Sequence, residues 1–358
     1  MKKLLIKILV IANLAVAAAM LLVLPAGVIS PAKFVWLAFA ALAFPVLALL
    51  NILFSAFWLI CRKWLFLISL VALAVCYKPL AITFPVNFSK NQTSETQNIK
   101  IVSYNVGAYQ SLQKHTKKSP NKIVEFLLGT NADIICLQEF STSKNPKFMT
   151  AQDFLDTFDA QGYKYTYIWY INPNNNDRVG LITLSKFPIV NKQKIQYQSF
   201  GNLSILSDIV INSDTVRVIN NHLESNTISQ VTYKKSNTGE LIGIVEKVAH
   251  HLSHTYPIRA KQAEMVAKEI QNSSYKTIVC GDFNDVPASY TYNKIKGDLE
   301  DSFVETNTGL GWTYDRNIYR VRIDFVLHSK DLTAENFIVK KQKYSDHYPV
   351  TCTLSINN

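Results

Sequence analysis

Residues 281–285, Gly-Asp-Phe-Asn-Asp, place the carboxylate of Asp282 two positions before the carboxamide of Asn284, directly after the apolar run 277–280. Side chains alternate with period two along an extended backbone, so at a strand end both groups would project to the same side. A carboxylate and an amide held together can position a water molecule next to an oxyanion. The same residue types are common in turns, so the stretch alone also fits ordinary turn chemistry.

Further polar side chains lie at the ends or starts of other apolar, strand-like runs. Asp324 is the most demanding of them, because a carboxylate within an apolar run is costly to desolvate unless it has a partner. Taken singly, Glu139 also fits a solvated strand terminus, and His222 fits a structural histidine. The full set is Asn105, Glu139, His222, Asp324, Asp346 and His347.

The elements that must position these groups are short apolar runs separated by turns and a few amphipathic helices, a pattern typical of a mixed α/β domain. Strands are predicted over residues 101–106, 132–137, 163–170, 216–223 and 322–327. Helices are predicted over residues 121–128, 241–254 and 258–270. The first helix has its N-terminal cap at Ser119 or Asn121.

The N-terminal quarter differs in composition from the rest of the chain. Residues 1–90 contain no Asp or Glu and carry +8 of the total charge of +11. The remainder is close to neutral. The net positive charge is therefore mainly a property of the membrane flanks, and it is weak support for a nucleic-acid-binding surface.

Three apolar segments, at about 4–24, 34–60 and 64–84, predict a transmembrane region over residues 1–86. The segments are long enough to cross a hydrocarbon core of about 30 Å as helices. A polar linker over residues 87–98 follows, and the α/β domain occupies residues 99–358.

Positive charge predicts how the apolar segments are oriented. The N-terminal tail is rich in lysine, Arg62 and Lys63 follow the second segment, and only Lys33 lies between the first two. By the positive-inside rule the N-terminus and the Arg62 turn face the cytoplasm, so three crossings place the α/β domain on the extracytoplasmic side. The third segment has a short apolar core, interrupted by Pro79. If it does not cross, the domain faces the cytoplasm.

The five cysteines are scattered, without the paired spacing of a zinc site or a disulfide framework. Cys136, Cys280 and Cys352 each lie in a strand-like apolar run. Free cysteines in such runs behave as small apolar residues, so the pattern predicts buried thiols.

The motifs around the polar residues are, in chain order, SYNV, LQEF, NHLES, GDFND, RIDFVL and SDHYPV. Together they resemble the endonuclease/exonuclease/phosphatase superfamily, which includes deoxyribonuclease I, exonuclease III, neutral sphingomyelinases and inositol-polyphosphate 5-phosphatases. The resemblance covers residues 100–356. It implies a four-layered α/β sandwich, in which two mixed β-sheets pack face to face with helices outside. It also implies an active site where the strand ends meet.

The resemblance further implies a metal-dependent phosphoric ester hydrolase with Mg²⁺ as the cofactor, or Mn²⁺ in its place. Glu139 resembles the principal metal carboxylate and Asp346 a second ligand, while Asn105 would orient the metal or the phosphate. Hard oxygen donors of this kind suit both ions.

The implied catalytic roles fall on five other residues. Asp282 resembles the residue that positions or deprotonates the attacking water, and Asn284 resembles a donor to the phosphate. His347 would contact the scissile phosphate, with Asp324 orienting its ring. His222 resembles the second histidine of deoxyribonuclease-like members, an acid for the leaving oxygen. A metal and an imidazolium would offset the charge that develops on the phosphate oxygens.

The substrate stays open, because the superfamily hydrolyses nucleic acids, lipid head groups and small phosphates with one type of catalytic centre. A nuclease-like phosphodiesterase is the first interpretation. Membrane anchoring also fits a lipid phosphoesterase that acts on sphingomyelin or phosphoinositides. A catalytically inactive, membrane-tethered binding protein is the alternative of another class, and retention of every expected polar residue argues against it. The expected partners are the phosphate-ester substrate and the membrane, with no obligate protein partner.

Overall fold

The computed structural model describes residues 2–87, 98–108, 115–116, 118–197, 199, 201–226, 238–316 and 319–356. Apart from its end residues, the predicted linker 87–98 lies outside the described residues. The chain forms two compact units, each built from several segments. We name them the helical unit, Met1–Val86, Asn226–Ala263 and Asp285–Lys294, and the sheet unit, Asn87–Ser225, Glu264–Asn284 and Ile295–Asn358.

The N-terminal part of the helical unit consists of consecutive helices. They are α1 (Lys2–Leu21), α2 (Val23–Ala26), α3 (Trp36–Ile60), α4 (Phe66–Val75) and α5 (Tyr77–Thr83). Two stretches, Lys3–Ala26 and Trp36–Ile60, are long and apolar enough to cross a membrane. The helices α4 and α5 meet this condition only as a pair, and the pair is bent by 71°.

The bend between α4 and α5 has its cause in Pro79. A proline inside a helix lacks an amide hydrogen and clashes with the carbonyl four residues before it, here that of Val75, where α4 ends. Pro79 instead lies in the first turn of α5, where proline is tolerated. The interruption expected from the sequence is therefore a helix break, and a third span exists only if the bent pair crosses as one.

Buried polar side chains connect α1, α3 and α4. The amide nitrogen of Asn13 donates to Ser69 Oγ (2.8 Å), and the amide oxygen accepts from Trp58 Nε1 (2.8 Å). All three side chains are buried, and one comes from each helix. Hydrogen bonds of this kind hold helices together in an apolar bundle.

We expect Asn13→Leu to destabilise this bundle, because it removes both hydrogen bonds. Interhelical hydrogen bonds in membranes are worth about 0.6–2 kcal/mol, so the thermal unfolding midpoint of the full chain in detergent should fall. Leu53→Val is the matched control, since Leu53 is 54 % exposed on α3, and it should leave the midpoint unchanged. Equal midpoints for the two variants would contradict the role given to Asn13.

The strands all belong to the sheet unit. In chain order they are β1 (Asn98–Asn105), β2 (Ile134–Ser143), β3 (Tyr165–Tyr170), β4 (Asp177–Ser185), β5 (Ile189–Ile195), β6 (Leu203–Ile211), β7 (Asp214–His222), β8 (Lys276–Asp282), β9 (Glu300–Asp301), β10 (Tyr314–Arg316), β11 (Tyr319–Val321), β12 (Asp324–His328), β13 (Leu332–Val339) and β14 (Val350–Ile356). One six-stranded sheet has the order β13-β14-β1-β2-β4-β3, and a second has the order β5-β6-β7-β8-β12-β9. The strands β10 and β11 form a separate hairpin.

Each six-stranded sheet has a parallel pair at its centre. The pair is β1 and β2 in the first sheet, and β7 and β8 in the second. The other neighbours in both sheets are antiparallel. Parallel neighbours run in one direction, so each pair delivers its carboxyl ends to one edge of its sheet. The predicted site residues lie at those edges.

The remaining helices are α6 (Lys122–Gly129), α7 (Ala151–Asp159), α8 (Thr238–Gln271), α9 (Tyr290–Lys296) and α10 (Ser302–Thr306). The predicted cap of α6 is confirmed at Asn121, which accepts hydrogen bonds from the amides of Ile123 and Val124. The sequence predicted two helices where the single helix α8 runs through Pro257. Residues on both sides of this proline, such as Leu252 and Ala260, are buried, and tertiary packing of this kind outweighs local propensity.

The two six-stranded sheets pack face to face. Ile101 and Cys136 of the first sheet share one buried apolar cluster with Ile278 and Cys280 of the second. On the outer face of the first sheet, α6 and α7 cover a second cluster. The predicted fold class, two mixed sheets flanked by helices, is confirmed. The thiols predicted to be buried, Cys352 among them, are free and buried.

Candidate active site

Strand ends of the second sheet bring titratable side chains into line. His222 of β7 is in register with Asp282 of β8, and Asp282 is in register with Asp324 of β12. His347 comes from the loop before β14, and its Nδ1 lies 3.0 Å from Asp324 Oδ2 while its Nε2 lies 3.5 Å from Asp282 Oδ2. Four side chains that are distant in sequence therefore form one cluster, and all four are buried.

Asp282 is the centre of this cluster. Its Oδ1 accepts a hydrogen bond from the amide of Asn284 (2.8 Å), and its Oδ2 accepts one from Asn105 Nδ2 (3.1 Å). His222 Nε2 lies 3.8 Å from the same Oδ2. Burial raises the pKa of Asp282, and the neighbouring His347 offsets part of that shift. A raised pKa makes this carboxylate a better proton acceptor than a solvated aspartate.

Glu139 reaches the cluster from the first sheet through a β-bulge. The pairing of β2 with β4 shifts at this point, and Glu139 has a φ of 49°. A bulge inserts one extra residue and re-aims its side chain. Glu139 Oε1 accepts from Asn105 Nδ2 (3.2 Å) and lies 3.6 Å from His222 Nε2. The sequence predicted a strand ending at residue 137, whereas β2 continues beyond the bulge to Ser143.

His347 is oriented by Asp324. Its Nδ1 lies 3.0 and 3.2 Å from the two carboxylate oxygens, which leaves Nε2 on the side of Asp282. Burial disfavours the imidazolium, but the negative charges of Asp324 and Asp282 outweigh it and raise the pKa of His347 to about 10. The ring of Tyr314 packs edge-on against the imidazole, with 4.9 Å between ring centroids. A positively charged ring held in this way can stabilise charge on a phosphate.

Glu139 is the residue best placed to hold a divalent cation. Its side chain is 36 % exposed. Burial alone would raise the pKa of Glu139, but His222 and the Asn105 amide outweigh it and lower the pKa, so the carboxylate is ionised. Asn105 faces Glu139 with its nitrogen, while its oxygen accepts from the amide of Gly107 (3.1 Å). Asp346, the other predicted ligand, pairs with Arg316 Nη1 at 3.5 Å.

A second group of side chains has metal-ligand spacing. Asp282, Asp324 and His347 each offer a ligand atom, and these atoms lie within 4.8 Å of one another. All three are buried, and His347 Nδ1 already occupies the oxygens of Asp324. Mg²⁺ usually keeps several of its waters when it binds a protein. The accessible carboxylate of Glu139 therefore fits a hydrated Mg²⁺ better than this buried group does.

The turn after β8 depends on glycine. Gly281 has a φ of 121°, and a Cβ atom there would lie 2.1 Å from Asn221 O on the neighbouring strand. Asn284 has a φ of 54°, and its Nδ2 donates to Leu223 O (3.0 Å). Because β8 ends at Asp282, the alternation of side chains does not extend to Asn284, and the turn fixes its position instead.

We expect Gly281→Ala to destabilise the protein by about 3 kcal/mol or more. Strain at a backbone conformation that side chains rarely adopt costs about 1–3 kcal/mol, and overlap with Asn221 O adds to it. Gly162→Ala is the matched control, because Gly162 has a φ of 90° and a methyl group on it would meet no atom of the described residues within 4 Å. Thermal unfolding of the two variants measures the difference. Equal losses would contradict the steric part of the effect.

A polar network that the sequence did not predict lies beneath the cluster. Gln138 Nε2 donates to Asn220 Oδ1 (2.7 Å) and to Ser103 Oγ (3.2 Å), and all three residues are buried. These bonds connect the two sheets next to the strand ends that carry Glu139 and His222. The available signal was a polar residue directly before Glu139, and another two positions before His222, in otherwise apolar runs.

Comparison with models of protein families gives two matches. Residues 102–347 match the Endonuclease/Exonuclease/phosphatase family. Residues 6–83 match a domain of unknown function. Comparison with curated proteins gives no match.

Solved structures share the fold at low sequence identity. An endonuclease/exonuclease/phosphatase from Beutenbergia cavernae is 14 % identical, with a TM-score of 0.52, over 73 % of this chain and 72 % of that chain. ANGEL2, a 2′,3′-cyclic phosphatase in complex with adenosine-2′,3′-vanadate, is 14 % identical, with a TM-score of 0.50, over 76 % of this chain and 100 % of that chain. At this identity the likeness concerns the fold alone.

Proposed function

Since the chain belongs to the endonuclease/exonuclease/phosphatase family, we propose that it is a membrane-anchored, divalent-metal-dependent phosphoesterase that hydrolyses phosphodiester bonds. The set of contacts around Asp282 carries the proposal: one buried carboxylate lies within reach of Asn105, His222 and His347. Phosphoryl transfer depends on positioning and on stabilisation of charge, and a base, an amide donor and two imidazoles supply both.

In the proposed reaction Asp282 orients the attacking water and accepts its proton as the new oxygen–phosphorus bond forms. His347, held by Asp324, donates through Nε2 to a non-bridging phosphate oxygen. His222 gives a proton to the leaving oxygen as its bond to phosphorus breaks. A divalent ion, when bound at Glu139, offsets charge on the phosphate oxygens. Asn105 donates to the carboxylates of Glu139 and Asp282 and so orients them, and Asn284 is the amide donor to the phosphate.

Two substrate classes fit this chemistry. The first is a nucleic acid, as for the nucleases of the family. The membrane helices favour a second, the head group of a phospholipid. Large apolar side chains of the N-terminal region are exposed, among them Leu4 (63 %) and Ile60 (82 %), and an apolar surface of this kind marks contact with a membrane or a partner. A tethered enzyme also meets lipid head groups at high effective concentration.

A hydrolysis panel with the full-length chain in nanodiscs tests the proposal. The substrates are DNA, RNA, and vesicles that contain sphingomyelin or phosphoinositides, each with Mg²⁺ or Mn²⁺. We expect hydrolysis of at least one phosphodiester, and a chelator should abolish it. The identity of the hydrolysed substrate distinguishes a nuclease from a lipid phosphoesterase. Glu139→Gln should raise the Mg²⁺ concentration needed for half-maximal rate, whereas Glu125→Gln on the exposed face of α6 should not. If none of the substrates is hydrolysed with either ion, the result would favour a catalytically inactive binding protein.

We also propose that three crossings place the catalytic domain on the extracytoplasmic side, and contacts within the helical unit support this. At the start of α3, Phe39 packs against Leu252 and Tyr256 of α8. Gly27, directly after α2, lies so close to Asn293 that a methyl group on it would approach the Asn293 amide nitrogen to 3.0 Å. Both contacts lie at the same end of the two spans.

These contacts constrain the third apolar segment. If the pair of α4 and α5 did not cross, Asn87 would lie on the membrane side opposite to the start of α3. Among the described residues after Asn87, no helix is long and apolar enough to cross again, yet α8 packs against the start of α3. The turn with Arg62 and Lys63 lies at the other end of α3, and its charge favours the cytoplasm.

The native cysteines allow a direct test of this orientation. Cys61 in that turn is exposed, and the other four cysteines are buried. A membrane-impermeant maleimide should label Cys61 only after spheroplasts are lysed. A double variant with Cys61→Ser and Asp298→Cys should be labelled before lysis, since Asp298 is exposed in the sheet unit. Labelling of Cys61 from outside, or labelling of the double variant only after lysis, would overturn the proposed orientation.

A further inference from the structure

The helix α8 carries a fully buried arginine. Arg259 is 0 % exposed, and its Nη1 lies 3.3 Å from Asp285 Oδ2. The same Oδ2 accepts from Thr291 Oγ1 (2.8 Å), and Oδ1 accepts from the amide of Val286 (3.0 Å). On its other side, Arg259 Nη2 donates to Asn226 Oδ1. The guanidinium therefore bridges two segments that are far apart in sequence, and all of these residues belong to the helical unit.

The two bridged segments follow site residues in the chain. Asn226 comes four residues after His222, and Asp285 comes three residues after Asp282. Within the sheet unit Leu223 joins the same two loops. Its amide donates to Asp282 O (3.0 Å), and its carbonyl accepts from Asn284 Nδ2 (3.0 Å). The loops are thus connected at two points, once beside the strand ends and once at Arg259.

His222 depends on its loop, because hydrogen bonds do not fix its ring. Within the described part of the chain, neither ring nitrogen has a hydrogen-bond partner, and the oxygens of Glu139 and Asp282 lie 3.6 and 3.8 Å from Nε2. His347, by contrast, is held by Asp324 at 3.0 Å. A ring without such a restraint takes its position from the backbone that carries it.

We propose that Arg259 is a positioning residue of the phosphodiesterase site. It holds the loop after His222 and the loop after Asp282 at a fixed separation, so that the acid for the leaving oxygen and the residue that holds the water stay aligned. The inference rests on the proposed function and extends it to a side chain outside the catalytic cluster. Because α8 also packs on α3 through Leu252 and Tyr256, the membrane helices support the helix that carries Arg259.

An arginine suits this position because it must form an ion pair with Asp285 and donate a hydrogen bond to Asn226 at once. Its guanidinium presents several donors in a planar fork, whereas the lysine ammonium is a compact point charge on a flexible stem. Replacing Arg259 by an apolar residue would leave the buried Asp285 without its counter-charge, and such a change is strongly destabilising. Arg259→Lys keeps the positive charge but loses the planar set of guanidinium donors, so it tests the positioning of the loops without leaving Asp285 unpaired.

The first test compares the kinetics of two arginine variants in the full-length chain. Misplacement of reacting groups by about 1 Å costs about 10²-fold in rate, so Arg259→Lys should lower kcat by about 10- to 100-fold with KM nearly unchanged. Arg217→Lys is the matched control. Arg217 is 13 % exposed and pairs with Asp208 (2.8 Å) in the middle of β7, and its variant should lose stability but keep kcat.

The second test separates positioning from general stability. Asn226→Ala leaves the ion pair of Arg259 and Asp285 in place and removes the oxygen through which the loop after His222 accepts from Arg259 and Thr255. It should lower kcat about tenfold in the wild-type background and have no further effect in a His222→Ala background, because the two residues act through one side chain. Equal losses in both backgrounds would mean a purely structural role and would overturn the proposal.

The third test measures the local stability of the two loops and needs no activity assay. Amide hydrogen exchange in peptides covering residues 222–226 and 282–287 should be faster in Arg259→Lys than in the wild type, and unchanged in Arg217→Lys. Unchanged exchange in both variants, or a wild-type kcat for Arg259→Lys, would overturn the inference. A wild-type chain that hydrolyses nothing would refute the proposed function, and the exchange data would still decide whether Arg259 holds the loops.

Discussion

Asp282→Asn should lower kcat by about 10³-fold or more and leave the fold intact, since a general base contributes about 10²–10⁴ in rate. Asparagine keeps the shape of the side chain and an acceptor for the amide of Asn284, but it cannot take a proton from water. Measurement of kcat on the full-length chain, with the phosphodiester that the panel identifies, checks the prediction. The acid side of the wild-type profile should also lie above pH 3.8, the ordinary pKa of an aspartate, because burial raises the pKa of Asp282.

Asp214→Asn is the control for this change. Asp214 lies at the start of β7, at the opposite end of the strand from His222, and pairs with Lys276 at 2.9 Å. The control should keep the wild-type kcat. A kcat for Asp282→Asn close to that of Asp214→Asn would show that another group activates the water.

Asp324→Asn should have the second-largest effect, a loss of about 10²-fold in kcat, together with an alkaline limb that moves to lower pH. The charge of Asp324 helps to raise the pKa of His347 to about 10 against the effect of burial. Without that charge the pKa falls, so the imidazolium is lost at a lower pH. The profile of kcat against pH, recorded from neutral pH to beyond about 10, measures the shift.

The same pair makes stability depend on pH. The pKa of folded His347 lies above its ordinary value of 6.5, so the stabilisation is complete below pH 6.5 and is lost as the pH rises through about 10. Glu305→Gln is the matched control, because Glu305 contacts the buried His328 at 2.8 Å at the other end of β12. Burial lowers the pKa of His328, but Glu305 outweighs it and raises that pKa. Glu305→Gln should change the pH dependence of stability and leave the profile of kcat against pH unchanged. An alkaline limb of kcat that does not move in Asp324→Asn would exclude His347 as the titrating group.

The sequence was most informative where a local pattern decides the structure. Asp282 and Asp324 were placed at the edges of apolar runs, and the structure sets them opposite each other on neighbouring strands. The helix after Asn121 begins where its capping pattern predicted. In each case neighbouring residues carry the information, through alternation along a strand or through a side chain that satisfies helix amides.

The rest of the site depends on contacts that are remote in sequence. The bulge that turns Glu139 towards His222 arises from the pairing of β2 with β4, and the residue types of the LQEF motif do not predict it. Arg259 lies within a predicted helix, where periodicity alone does not distinguish a buried arginine from a solvated one. Its partners Asn226 and Asp285 are 33 and 26 residues away. Continuation of α8 through Pro257 likewise reflects packing, which outweighs local propensity.

The order of strand directions is the same in both six-stranded sheets: two antiparallel pairings, a central parallel pairing and two more antiparallel pairings. The two sheets thus share one pattern of strand directions, although their strands follow each other along the chain in different orders. The first sheet supplies Asn105 and Glu139 from its central pair, and the second supplies His222 and Asp282 from the equivalent pair. Among these four residues, the accessible carboxylate comes from the first sheet and the buried carboxylate from the second. The proposed hydrolysis would therefore need both sheets, because each of them contributes only part of the candidate site.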